Sequence, residues 1–148
     1  MKNNIVKGKT TAKFIPKLTM KNPNGEVRKY LSQDADSPTS YKEVYFSRLL
    51  PGKSKKWKCN KSQSQNLTSA MGRISIICIQ SCTDGYIYEE FLIDDLMNFG
   101  VLEIPAGLIY GLFTDNQGAV IVNSLVSSYT DSDAQIVSVD FDVAPTLL

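Results

Sequence analysis

Histidine is absent from this 148-residue chain. Its absence removes the commonest zinc ligand, the commonest general base near neutral pH, and any Ser-His or Cys-His nucleophile system. Proton transfer would then fall to Tyr, Lys, Asp, Glu or water, each of which needs a shifted pKa or a partner in place. Cysteine is scarce: Cys59, Cys78 and Cys82 are odd in number. Cys78 and Cys82 stand too far apart for a C-x-x-C redox or zinc pair, so all three read as reduced, mostly packed thiols. No apolar run is long enough for a signal peptide or a membrane span, and the first residues are rich in lysine and asparagine. The expectation is a cytoplasmic protein without a membrane partner.

Basic residues are missing from the second half. All sixteen Lys and Arg lie at or before Arg73 and eleven of the fifteen Asp and Glu follow it, so the first part carries +12 and the remainder −11. Such asymmetry can mark a basic nucleic-acid arm beside an acidic tail. The simpler expectation is that strands from the two halves interleave and bring opposite charges together, with no nucleic-acid partner.

What is present is a globular composition, 43% aliphatic and aromatic and 21% charged, in a length that suits one domain. No segment holds a 3.6-residue apolar period, whereas short β-rich runs alternate with turn residues, which predicts an all-β fold. Asn22-Pro23-Asn24-Gly25 is a hairpin signal with Asn-Gly at its turn, and residues 26–32 begin the next strand. Residues 33–40 read as a loop, 43–50 as a strand, and 57–67 as a strand pair or one bent strand. The β-branched Ile74, Ile76, Ile77 and Ile79 mark the clearest strand, over 73–80. Asp115-Asn116-Gln117-Gly118 predicts a hairpin pairing 110–114 with 119–124, and residues 136–143 alternate as a half-buried edge strand.

Two spaced constellations stand out. The first runs Gly52, five residues, Lys58, one residue, Asn60, four residues, Gln65, six residues, Gly72. The second runs Gly100, four residues, Pro105-Ala106-Gly107, two residues, Tyr110. On a strand, residues i and i+2 share a face, so Lys58 and Asn60 would project together, with Trp57 and Cys59 facing away into packing. Inward-facing Lys58, Asn60, Gln65 and Tyr110 would be costly unless bonded to each other, water or a ligand. A lysine ammonium and carboxamides are poor ligands for transition metals, so no metal and no cofactor is expected.

These constellations resemble the two motifs of the cupin superfamily, with both glycines of the first kept and every metal ligand replaced. The resemblance implies a jelly-roll (double-stranded β-helix) barrel over residues 1–148, with a lysine-rich N-terminal segment (about 1–20) at its edge. Within the cupins the chain is most similar to the metal-free dTDP-4-dehydrorhamnose 3,5-epimerases and dTDP-sugar 3,4-ketoisomerases. Residues 104–113, with Ile104-Pro105-Ala106-Gly107 and Tyr110-Gly111, are similar to their I-P-P-G-x-x-H-G-F segment. In those families a base removes the proton α to a C4 ketone and an acid, usually tyrosine, returns one. Their base is a histidine on the strand that here holds Lys58 and Asn60.

The resemblance implies a nucleotide sugar, a dTDP-sugar, as partner, and a homodimer. Lys58 is the candidate base or a pyrophosphate clamp, against a solvated lysine; Tyr110 is a proton donor or a packed ring; Tyr129 falls near the epimerases' acid. Asn60, Gln65 and Asn123 are candidate sugar contacts, and Arg48 and Arg73 candidate phosphate contacts, although Arg73 could equally pair with an acidic residue. The implied function is an epimerase-like protein of polysaccharide or deoxysugar biosynthesis with altered or lost catalysis. The alternative is a non-catalytic carbohydrate-binding or regulatory cupin.

Overall fold

Ile74, Ile76, Ile77 and Ile79 do form the central wall. All four are buried, because β-branched side chains suit a pleated surface covered on both faces. A computed structural model describes residues 3–31, 43–125 and 134–147, without the side chains of 134 and 135. These residues form thirteen strands and no helix: β1 (Ile5–Lys7), β2 (Lys13–Pro16), β3 (Thr19–Asn22), β4 (Gly25–Arg28), β5 (Glu43–Leu49), β6 (Ser54–Asn60), β7 (Gln65–Met71), β8 (Arg73–Cys82), β9 (Gly85–Asp94), β10 (Gly100–Ile104), β11 (Ile109–Thr114), β12 (Ala119–Leu125) and β13 (Ala134–Ile136). The expected loop over 33–40 and the candidate Tyr129 lie outside the described residues.

Two sheets carry the fold, one ordered β1-β9-β8-β11-β6-β13 and the other β2-β10-β7-β12-β5, beside the β3-β4 hairpin. Their pairings are antiparallel except β1 with β9. The inner faces share one apolar cluster, to which Leu49, Leu67, Leu102 and Ile121 contribute from the second sheet and Ile74, Ile76, Cys78 and Leu112 from the first. A second cluster coats the other face of the first sheet, where Trp57, Ile77, Ile79 and Phe113 are covered by Phe141. Trp57 packs edge-on to Phe113 and Phe141, at 5.9 and 5.5 Å between ring centres. Its indole N–H donates to Asp140 Oδ1 at 3.1 Å.

The alternation in β6 is interrupted. Tyr110 pairs with Lys58 but Leu112 pairs with Lys55, so Lys56 and Trp57 together oppose Gly111. This is a β-bulge, one extra residue on one strand. Gly111 is required there, since a Cβ on it would meet Trp57 Cζ3 at 2.7 Å.

Three expectations need correction. Residues 110–114 and 119–124 do not pair: β11 is flanked by β8 and β6, and β12 by β7 and β5. Both edges of each strand are thus already occupied, and the Asp115–Gly118 turn is a corner between sheets. The first hairpin turns on Pro23-Asn24, with Asn22 opposite Gly25. Proline holds φ negative, and Asn22 Oδ1 accepts from the Asn24 N–H at 2.9 Å. The edge strand over 136–143 pairs only through Ile136, with Val137 N–H donating to Trp57 O at 2.8 Å. Beyond it the chain leaves the sheet so that Phe141 can cover the tryptophan. The stretch 57–67 resolves into a pair, β6 and β7, that lie in different sheets.

Segregated charges meet across the fold. Arg28 pairs with Asp95 at 3.7 Å, Lys56 with Asp140 at 3.5 Å and Arg73 with Asp115 at 3.9 Å. Phe141→Ala should cost roughly 3–5 kcal/mol by opening a cavity over Trp57. Thermal unfolding with tryptophan fluorescence checks this: the variant should melt lower, with its native emission shifted to the red.

Candidate functional site

The bulge sets the site. Because it restores the same face after three residues rather than two, Lys55 and Lys58 both point between the sheets, next to Leu112 and Tyr110. Facing them on β5 are Tyr45 and Ser47, the inward members of an alternation whose outward members Val44, Phe46 and Arg48 are exposed. With Leu67, Ile121 and Asn123 these residues enclose a hollow of about 40 Å³, room by that measure for roughly three waters. No carboxylate lines it among the described residues.

Lys55 Nζ donates to Ser47 Oγ at 2.7 Å. Lys58 is half-buried, and burial, followed by the Lys55 charge, lowers its pKa from the ordinary lysine value. Both effects disfavour the ammonium. Tyr110, opposite Lys58, has its pKa pushed up to about 12, chiefly by burial and against the Gln65 hydrogen bond.

Behind the lysines lies a ring of amides and phenols. Gln65 Oε1 accepts from the Tyr110 hydroxyl at 3.3 Å and from Asn123 Nδ2 at 2.7 Å, and the same Nδ2 donates to the Tyr45 oxygen at 2.8 Å. Asn123 Oδ1 is buried and finds no partner among the described residues.

Of the sequence candidates, the fold therefore brings together Lys58, Gln65, Tyr110 and Asn123. Asn60 is buried but turned aside. Its Oδ1 accepts from the Ser62 and Gln63 N–H groups at 3.2 and 3.3 Å, closing the turn after β6, as a short amide readily does. Its main-chain oxygen accepts from Gly107 N–H at 2.8 Å, tying the two glycine motifs together. Arg48 is on the outward face of β5, beside a separate groove with Gly72 and Gln117. Arg73 is exposed at the β7–β8 corner with Asp115. Neither arginine reaches the cavity.

Lys55, Tyr45 and Ser47 were not among those candidates. Strict alternation puts Lys55 on the Trp57 face, and only the bulge reverses it; Tyr45 and Ser47 were legible from the alternation of β5. Lys58, Asn60, Gln65 and Tyr110 offer one amine, a committed amide, a hydrogen-bonded amide and a protonated phenol. That donor set does not fit a divalent metal, and no cluster of three or more His, Cys, Asp or Glu occurs among the described residues.

No family model matches the sequence, and no curated protein matches it. Solved structures do. The chain superposes with a dTDP-sugar isomerase from Desulfovibrio desulfuricans G20 at TM-score 0.78 and 20% identity, over 86% of this chain and 83% of that one. It does so with a sugar 3,4-ketoisomerase from Thermoanaerobacterium thermosaccharolyticum in complex with TDP at 0.70 and 16%, over 86% and 88%. A dTDP-6-deoxy-D-glucose-3,5-epimerase from Legionella pneumophila Philadelphia 1, in complex with dTDP-4-keto-L-rhamnose, matches at 0.74 and 12%, over 98% and 86%. The chain has the cupin fold of these enzymes.

The amide ring is a stability element with a pH signature. Gln65→Leu, which strands the Tyr110 hydroxyl and leaves Asn123 Nδ2 with Tyr45 alone, should cost about 1–3 kcal/mol in urea unfolding, and Gln65→Glu should restore part of it. Tyr110 keeps its proton to about pH 12 in the folded state, against 10.0 ordinarily. Between those values the unfolded chain binds fewer protons than the native one, so stability falls as pH rises from about 10 to about 12. Tyr110→Phe should flatten that decline when unfolding is measured across the same range.

Proposed function

We propose that this cupin binds a nucleotide sugar, a dTDP-sugar, and moves a proton at a carbon next to its keto group, as an epimerase or ketoisomerase of deoxysugar or polysaccharide biosynthesis. The observation that carries this is the adjacency of Lys58 and Tyr110 on paired strands, facing one hollow. Further support comes from the ligands of two fold neighbours, TDP and dTDP-4-keto-L-rhamnose.

Lys58, with its ammonium disfavoured, takes the proton; Tyr110, protonated throughout the neutral range, has one to give. The Lys55 ammonium, fixed by Ser47, stabilises the enolate oxygen that develops between these steps. Gln65 and Asn123 hold Tyr110 and offer amide contacts to the sugar. The hollow admits the reacting edge of the sugar, so the diphosphate lies outside it, where Arg48 and Arg73 are the candidate contacts; Tyr129 is a candidate second acid. The same proposal makes the protein a cytoplasmic homodimer that binds neither nucleic acid nor membrane.

A second reading, a non-catalytic carbohydrate-binding or regulatory cupin, is favoured by the amide ring, since carboxamides hold sugars but do not take protons. The two separate in deuterated water. With a dTDP-4-keto sugar, NMR should show loss of the C3 or C5 proton signal, at a rate that rises with pH and levels off below the ordinary lysine range. Lys58→Met should slow it roughly 10²–10⁴-fold. A ligand that raises the melting temperature equally at low and moderate salt, yet exchanges no proton in a day, would leave the binder and remove the enzyme.

A further inference from the structure

Two amines share the hollow, and their circumstances differ. Lys55 is committed, its Nζ donating to Ser47 Oγ at 2.7 Å. The side chain of Lys58 makes no hydrogen bond or ion pair with the described residues. The groups facing it are Lys55 from its own strand, Tyr45 and Ser47 from β5, and Tyr110 from β11. Along its row across the sheet come Tyr110, Cys78 and then Glu89. That carboxylate is three strands away, roughly 14 Å at sheet spacing, and accepts from Thr10.

A phosphate would be drawn to a pair of free ammoniums, but in this pair one is fixed, the other makes no hydrogen bond with the described residues and has no carboxylate lining its hollow, and the space takes a group of a few atoms. An amine whose ammonium is disfavoured by burial and by a fixed neighbouring cation, with no carboxylate lining the hollow, is placed to act as a nucleophile. We propose that Lys58 is a covalent catalyst that forms an imine with the carbonyl group of a ketone or aldehyde entering the hollow, which deepens the keto-sugar reading above and rests on it for the identity of the natural carbonyl.

The chemistry closes on the residues present. The Lys58 Nζ lone pair attacks the carbonyl carbon and the C=O π pair moves to oxygen. A proton then passes from nitrogen to that oxygen, giving a carbinolamine. Loss of its hydroxyl as water, with a proton supplied by Tyr110, leaves the C=N bond. As a cation the iminium acidifies the adjacent C–H far more than the ketone did, and the Tyr110 phenolate left by the loss of water takes that proton and gives it back, so that in this deeper reading Lys58 activates the carbon through the imine and is not itself the base. Water returns the proton to Tyr110 and, on hydrolysis, the free lysine.

Trapping tests this without the nucleotide. The whole chain is treated at pH 7 with dihydroxyacetone and sodium cyanoborohydride, and labelled lysines are located by peptide mass spectrometry. Lys58 should be reduced to the secondary amine several-fold faster than the exposed Lys53 and Lys56, with its labelling saturating at a lower pH than theirs. Lys55→Gln removes the neighbouring charge, raises the Lys58 pKa, and should bring its labelling at pH 7 down toward the surface rate. Labelling of Lys58 at or below the surface rate in the wild-type chain overturns the inference. If that result accompanies proton exchange with a dTDP-4-keto sugar, the function proposed above survives and only the imine is lost; selective trapping without exchange has the reverse meaning.

Discussion

A single extra residue in one strand governs this molecule. Trp57 lies on the outer face, where Phe113 and Phe141 enclose it, and the bulge opposite Gly111 turns Lys55 inward beside Lys58. A regular strand would send Lys55 outside with Trp57 and turn Lys56 inward beside Lys58 instead. Outer packing and inner chemistry are therefore two sides of one backbone irregularity. Bulges commonly sit beside functional sites because they re-aim side chains.

The interior is more polar than its wall of isoleucines suggests. Gln65, Asn66, Thr68, Ser69, Asn123 and Ser124 are all buried, and burying such groups is costly wherever they are not hydrogen-bonded. Thr68 donates to Gly100 O at 2.6 Å and Ser69 to Gly72 O at 2.5 Å, so part of this polarity stitches strands and corners. The Gln65–Asn123–Tyr45–Tyr110 ring is different in kind, because it borders the hollow. It supplies a hydrogen-bonded floor beneath the two lysines.

The strand-rich fold and its glycine corners were legible because β-branched runs and spaced glycines are local signals. Gly72 and Gly107 take φ of +89°, a region where glycine meets no side-chain penalty. Strand partnership was not local: the Asp115–Gly118 turn looks the same whether it joins neighbours in a sheet or crosses between sheets. The same limit applies to the site. Lys58, Gln65 and Tyr110 followed from motif spacing, but Lys55 depended on a register shift that no alternation pattern contains, and Asn60 was claimed by the turn beside it.

The N-terminal segment runs along the margins of both sheets, β1 against β9 in one and β2 against β10 in the other. One short length of chain thus acts as the spine of a book whose covers are the sheets. The lysine hollow lies toward the fore-edge, between β5, the outermost strand of one cover, and β6, next to the outermost strand of the other. Prising those covers apart there to admit a bulkier guest would leave the binding along the spine untouched.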